Sequence, residues 1–211
     1  MEITLKTDYP VAYDSPDHIM PHGTKNDNHT NLNFINEVLQ EWKTPNFMDL
    51  GCSGGQLVVD FVNKGCLAVG LEGSDYSVKH KRANWPEYHN TNLFTADITK
   101  PYEVYNNGER VYFNVITAWE VVEHIHPHNL DNFFEHISNN LTPGGIFLAS
   151  IATHSDIVNG VELHQSCFPK ENWIDGIFPG VCERYNLELH PYPYKNKVRE
   201  GGSFHIMLKK L

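Results

Sequence analysis

The sequence predicts an α/β fold: a doubly wound, mostly parallel sheet covered by helices on both faces, with an antiparallel C-terminal strand pair. Three observations point there. NFMDLG, CLAVGLEG, VYFNVITA and GIFLASIAT are short apolar runs of the kind a strand needs when both faces are buried. Between them lie amphipathic stretches with helical spacing, and such alternation is the signature of a parallel sheet with helical crossovers. The tail differs, because YNLELHPYPY and SFHIMLKKL read as two strands joined near Gly201 and Gly202, which suits an antiparallel pair.

In chain order, residues 1–29 are rich in Pro, His, Asn and Asp and form an irregular leader or cap built on turn chemistry. TNLNFINEVLQEW follows as an amphipathic helix through Leu32, Phe34, Ile35, Val38, Leu39 and Trp42, with Thr30 as the expected N-cap. NFMDLG is a strand, GGQLVVDFVNKG a helix closed by Gly65, and CLAVGLEG a second strand, so the three make a right-handed βαβ unit. A helix near SDYSVKHKRANW, a short strand at NLFTAD, the strand VYFNVITA, a helix through NLDNFFEHISNNL and the strand GIFLASIAT complete the pattern.

The chain has 211 residues and 40% hydrophobic content, which suits one domain over 1–211 with 1–29 as its cap. A formal charge of -10, from 16 Lys+Arg against 26 Asp+Glu, disfavours nucleic acid or an anionic membrane as an electrostatic partner. Cys52, Cys66, Cys167 and Cys182 are dispersed without a CxxC pair, so neither a zinc site nor a disulfide framework is implied. MEITLKTDYP has no apolar signal core, and no run reaches membrane-spanning length. A cytoplasmic location is the expectation.

In doubly wound sheets ligands bind beyond the carboxyl ends of the strands, near the point where strand order reverses. After the first strand of the βαβ unit comes DLGCSGGQ, where Gly51 and Gly55 permit a tight turn and a close ligand approach. After the second comes Glu72, placed to accept both hydroxyls of a ribose. After the next comes Asp97, suited to an exocyclic adenine amine, with Ile98 packing on the ring. A glycine turn and two acids on three strand ends describe a nucleoside pocket. A dinucleotide pocket would need GxGxxG, and GCSGGQ lacks that spacing.

DLGCSGG, GLEGSD, TADI, FNVITAWEVVEHI and LTPGGIFLAS, in this order, resemble the motifs of class I S-adenosylmethionine-dependent methyltransferases, which have a Rossmann-like fold. The resemblance covers about residues 46 to 155. It implies that Asp49, Gly51, Cys52, Ser53 and Gly55 line the cofactor's loop, with Asp49 and Gly51 near the methionine moiety. Glu72 and Gly73 would then meet the ribose, Asp97 and Ile98 the adenine, and Trp119 would line the pocket. Ser53 departs from the family, many members of which have glycine there. Read without the resemblance, Asp49 caps loop amides, Asp97 begins a turn and Trp119 belongs to the core.

WEVVEHIHPH then places Glu120, Glu123 and His124 at i, i+3, i+4, one face if the segment is helical. Carboxylates near a helix start gain roughly 0.3 to 1 kcal/mol from the dipole, which accounts for the two glutamates but not for His124. The ExxEH string resembles methyltransferases that bind a divalent ion, among them ubiquinone-pathway O-methyltransferases and enzymes that methylate the terminal ribose of small RNAs. In those a further histidine completes the site, and His164 holds a comparable place. The resemblance implies Glu120, Glu123, His124 and His164 as ligands for Mg2+, Mn2+ or Zn2+, with Glu123 and His124 catalytic. A metal-free general base at His124 and a purely structural cluster are the alternatives.

The leader and HQSCFPKENW are expected to close over the cofactor, with His22, Asn28, His29 and Asn31 available to a polyol and His126 and His128 as solvated loop residues. The expected reaction is O-methylation of a small polar acceptor, a sugar or catechol-like metabolite. Terminal-ribose methylation of RNA is disfavoured by acidity and by the lack of a basic stripe. A cofactor-binding subunit that activates a partner is the non-enzymatic alternative. The acceptor's identity and the oligomeric state are not written in the sequence.

Overall fold

The computed structural model describes residues 2–199 and 201–211. Its centre is a seven-stranded sheet. The strands that build it are β2 (Phe47–Leu50), β3 (Ala68–Glu72), β4 (Leu93–Thr95), β7 (Phe113–Trp119), β8 (Leu141–Ile151), β11 (Leu187–Pro191) and β12 (Phe204–Lys210). Their spatial order is β11-β12-β8-β7-β2-β3-β4. The pairs from β8 to β4 are parallel, whereas β12 pairs antiparallel with both β8 and β11. The expected α/β architecture with an antiparallel C-terminal pair is therefore present. The chain winds from β2 outward to β4 and then returns to β7 on the other side of β2. Strand order reverses between β2 and β7.

Successive residues on β2 point to opposite faces, so Phe47 joins one core and Met48 the other. On the Phe47 side lie α3 (Leu32–Trp42) and α4 (Gln56–Asn63), and the Phe47 ring stacks on Phe61 at 3.8 Å between centroids. On the Met48 side lie α7 (Leu130–Asn140) and α8 (Phe178–Tyr185), which bring in Phe133, Phe134, Phe178 and Val181. Burial on both faces is why β2 and β3 are unbroken apolar runs. The remaining helices are one turn or little more: α1 (Pro16–Ile19), α2 (His22–Asn26), α5 (Tyr76–Lys79) and α6 (Trp85–Tyr88). Among the described residues no helix is long and apolar enough to cross a membrane.

Several local expectations need correction. Asn31, not Thr30, caps α3, its Oδ1 accepting from the Asn33 and Phe34 amides; Thr30 Oγ1 instead donates to Asp60. The helix expected near SDYSVKHKRANW is two short pieces, because Lys81 and Ala83 sit at positive φ between α5 and α6. The sequence reading had no helix over 172–185, where a π-helical turn runs from Asn172 to Ile177 and continues into α8. It also passed over two hairpins. β5 (Glu103–Asn106) turns through Asn107 and Gly108 into β6 (Glu109–Arg110), and β9 (Ile157–Val158) turns through Asn159 and Gly160 into β10 (Val161–Glu162). All four turn residues have positive φ, the type I′ geometry for which Asn-Gly is the strongest short-range signal. β1 (Ile3–Lys6) pairs with β5, tying the start of the leader to the domain.

Candidate active site

A cavity of about 640 Å³ opens at the carboxyl ends of β2, β3, β4 and β7, beside the reversal of strand order. Glu72 ends β3, 6% exposed, and each of its oxygens is held. Oε2 accepts from the Ser53 amide at 2.8 Å; Oε1 accepts from Thr24 Oγ1 and the Ser74 amide, both at 3.3 Å. Burial raises its pKa above the ordinary value, against the pull of those donors.

Ser53, which stands where the family often has glycine, adopts φ +49, a conformation glycine enters freely. Its Oγ donates to Asp27 O, so the hydroxyl gives the leader a foothold that glycine could not. Gly51 has φ +68, and a Cβ there would lie 2.4 Å from Val121 Cγ2. Cys52, Gly73 and Ile98 line the cavity.

Gly55 does not reach the cavity wall. At φ +81 it is the N-cap of α4, and a Cβ there would lie 2.5 Å from Leu93 Cδ1, so its role is close packing against β4. Asp49 is buried, its Oδ1 accepting from Thr117 Oγ1 at 2.6 Å, and burial raises its pKa to about 7. Asp97 lines the cavity and also caps its own turn, accepting from the amide and hydroxyl of Thr99 at 2.9 and 2.7 Å. Trp119 is 8% exposed; it borders the cavity while packing edge-on against Phe34 and Tyr192.

The WEVVEH segment is not an α-helix. Glu120 has φ +55, Val121 leaves the helical region, and only Val122–His124 make a turn, of the tighter 3-10 kind. Glu120 and Glu123 therefore part company. Glu120 borders the cavity; its Oε2 accepts from Ser203 Oγ at 2.7 Å, its amide donates to Ser150 Oγ at 2.9 Å, and Oε1 is buried with no partner among the described residues. Glu123 is 0% exposed behind the cavity wall, and among the described residues neither of its carboxylate oxygens has a hydrogen bond of good geometry. Burial pushes its pKa up to about 8, His124 opposing and Glu120 adding to the rise.

His124 and His164 do meet. Their rings pack edge-to-face with centroids 4.7 Å apart, and both line the cavity. His164 Nδ1 lies 2.5 Å from His154 O, so that nitrogen carries the proton of the neutral ring and Nε2 is left with a lone pair. Burial lowers the His164 pKa. His124 behaves oppositely. Burial works against its charge, but Asp17, with Oδ2 2.6 Å from Nδ1, joined by Glu123 and Asp156, outweighs it and raises the pKa to about 9. Glu123, His124 and His164 each place one ligand atom within 4.8 Å of the other two. Among the described residues Glu120 is not one of the groups close enough to share an ion with these three.

The leader covers this cavity, as expected: Ala12 through His29 contribute repeatedly to its wall. His22 and His29 face it, whereas Asn28 caps α4 through the Gln56 amide and Asn31 caps α3. Of the segment HQSCFPKENW only His164 and Gln165 reach the wall; His126 and His128 are both exposed, and His126 also borders the rim. Asp17, Asp156, His154 and Arg199 also line the cavity without having been singled out from sequence. Arg199 is held by Asp27, Nη1 to Oδ2 2.7 Å.

A family profile for a methyltransferase domain matches residues 24–194. The chain belongs to this methyltransferase domain family. No curated protein matches it by sequence. Its fold recurs in solved structures. An S-adenosylmethionine-dependent methyltransferase from Clostridium acetobutylicum ATCC 824 is 17% identical with a TM-score of 0.58, the match covering 94% of this chain and 96% of that one. S-adenosylmethionine-bound CalS10, an amino pentose methyltransferase from Micromonospora echinaspora, is 12% identical with a TM-score of 0.57 over 98% and 99%. The methyltransferase domain of bacterial CtHen1-C is 20% identical with a TM-score of 0.56 over 85% and 96%. The profile gives the family, and the solved structures, each at or below 20% identity, give the fold.

Proposed function

We propose that this methyltransferase moves the methyl group of S-adenosylmethionine to an oxygen of a small polar acceptor, a sugar or catechol-like metabolite. The supporting observation is that His124 and His164 meet in the wall of the same cavity that Glu72, Asp97 and Ile98 line. Glu72 and Asp97 would hold the cofactor's ribose and adenine, and the leader would exclude water. The bound cofactor supplies an electrophilic methyl carbon. What remains for the chain is to align the acceptor oxygen and to take its proton.

The residues present fit a divalent cation through Glu123, His124 and His164. The fit rests on a buried carboxylate without a well-made hydrogen bond and on a neutral His164 with Nε2 available. A cation there would make a neighbouring hydroxyl more acidic. In its absence Asp17 and Glu123 keep His124 protonated at neutral pH, so His164, not His124, is the imidazole able to accept a proton. The test is transfer of labelled methyl from S-adenosylmethionine to a panel of monosaccharides, glycosides and catechols, with and without EDTA. Methylation of none of them, alongside methylation of a terminal RNA ribose, would replace this reading with the RNA one. Cofactor binding with turnover only in the presence of a partner protein would favour the non-catalytic subunit.

A further inference from the structure

The structure assigns Asp17 as a positioning residue for His124, carried into the site by the segment that covers the cavity. The assignment rests on the preceding reading of that cavity. Asp17 lies in the leader, before the stretch matched by the family profile, which begins at residue 24. It lies on α1, a single helical turn whose N-cap, Ser15, accepts from the Asp17 amide at 3.3 Å.

One turn of helix cannot fix a side chain by itself, and the leader is anchored on both sides of α1. The Asp97 amide donates to Tyr9 O and the Ala12 amide to Gly73 O, each at 2.9 Å, before α1. Thr24 Oγ1 donates to Glu72 Oε1 after it, and Arg199 grips Asp27. Three of these four anchors lie on the ends of β3 and β4, so the leader bridges from the nucleoside side of the cavity to His124. Covering the cavity and completing the histidine site are thereby one event.

The chemistry follows from the 2.6 Å ion-pair contact between Asp17 Oδ2 and His124 Nδ1, which is close without being aligned as a hydrogen bond. Two lone pairs at that distance would repel, so a proton resides on Nδ1. The neutral ring then has Nε2 as its only basic nitrogen, the form required of a ligand or an acceptor. Removing such an outer partner typically costs 10–100-fold in metal affinity. His164 has its own orienting group in His154 O, so the Nδ1 atoms of the two imidazoles face oxygens from different parts of the chain.

The test uses the full chain, wild type against Asp17→Asn, with two readouts. Long-range 15N–1H spectra report the histidine rings, the His124 signals being identified with His124→Asn; calorimetry reports Mn2+ affinity, and circular dichroism checks folding. We expect the His124 ring signals to shift, those of His164 to stay, Mn2+ affinity to fall about 10–100-fold, and Asp17→Glu to recover most of it. Unchanged His124 signals, or wild-type Mn2+ affinity in Asp17→Asn, would overturn the assignment. If the wild type takes up no Mn2+, the cation reading fails and the ring signals alone decide the role of Asp17. Should Asp17→Asn not fold, Asp17→Ser is read in the same way.

Discussion

Ser203 Oγ donates to Glu120 Oε2 across 2.7 Å, and this bond ties the loop before β12 to the end of β7. Glu120 thereby leaves Glu123, His124 and His164 as a separate cluster. Glu123→Gln should abolish Mn2+ binding, because it removes the only carboxylate of the three. Glu120→Gln should leave it unchanged. Calorimetry on both variants checks this, and equal losses would restore the four-ligand set.

Glu72 joins the glycine loop to the leader, so its replacement should be felt twice. Glu72→Ala should weaken S-adenosylhomocysteine at least tenfold, through lost charge-assisted hydrogen bonds worth roughly 1.5 to 3 kcal/mol each. It should also loosen the Ser53 and Ser74 amides and thus lower the Tm. Full affinity in the variant would remove Glu72 from the cofactor site.

Cation uptake should depend on pH in a set direction. Glu123 at about 8 and His124 at about 9 must both give up protons to act as ligands. Mn2+ affinity should therefore rise with pH from 6 to 9 and level off above, with proton release visible when buffers of different ionisation heat are compared. Affinity independent of pH over that range would show that these two groups are not ligands.

Asp49 should make stability fall as pH rises. Its ordinary value is 3.8 and its buried value about 7, so between those limits the folded state binds a proton that the unfolded chain has lost. The penalty is absent below pH 4, grows from there, and above pH 7 amounts to roughly 4 kcal/mol. Asp49→Asn keeps an acceptor for Thr117, so its Tm should exceed that of the wild type at pH 8 and match it at pH 4. Parallel melting curves across that range would contradict the buried acid.

Ionic strength separates the two acceptor classes. Turnover of a small neutral acceptor should change little with salt, whereas RNA would lose affinity steeply, by about 0.7 in log K per phosphate contact per decade of salt. Tight, salt-sensitive binding of a short RNA would overturn the small-acceptor preference.

The sequence by itself determined the sheet and which strand ends border the cavity. Strands buried on both faces must be apolar throughout, so FMDL and AVGLE announce themselves, and the residue that ends each run is delivered to the cavity by the strand's own direction. The two Asn-Gly hairpins carry a local signal in VNGVE and NNGER that the strand-and-helix pattern obscured, since the turn needs two positive φ values. Only the tertiary structure decided the histidine side. The spacing of Glu120, Glu123 and His124 implied one helical face, but a left-handed residue at Glu120 and its bond to Ser203 broke that periodicity. The pairing of Asp17 with His124 and of His164 with His154 O depends on how the leader and the segment after β8 lie across the strand ends. No local pattern encodes such contacts, because the partners are brought together by packing and not by any repeat along the chain.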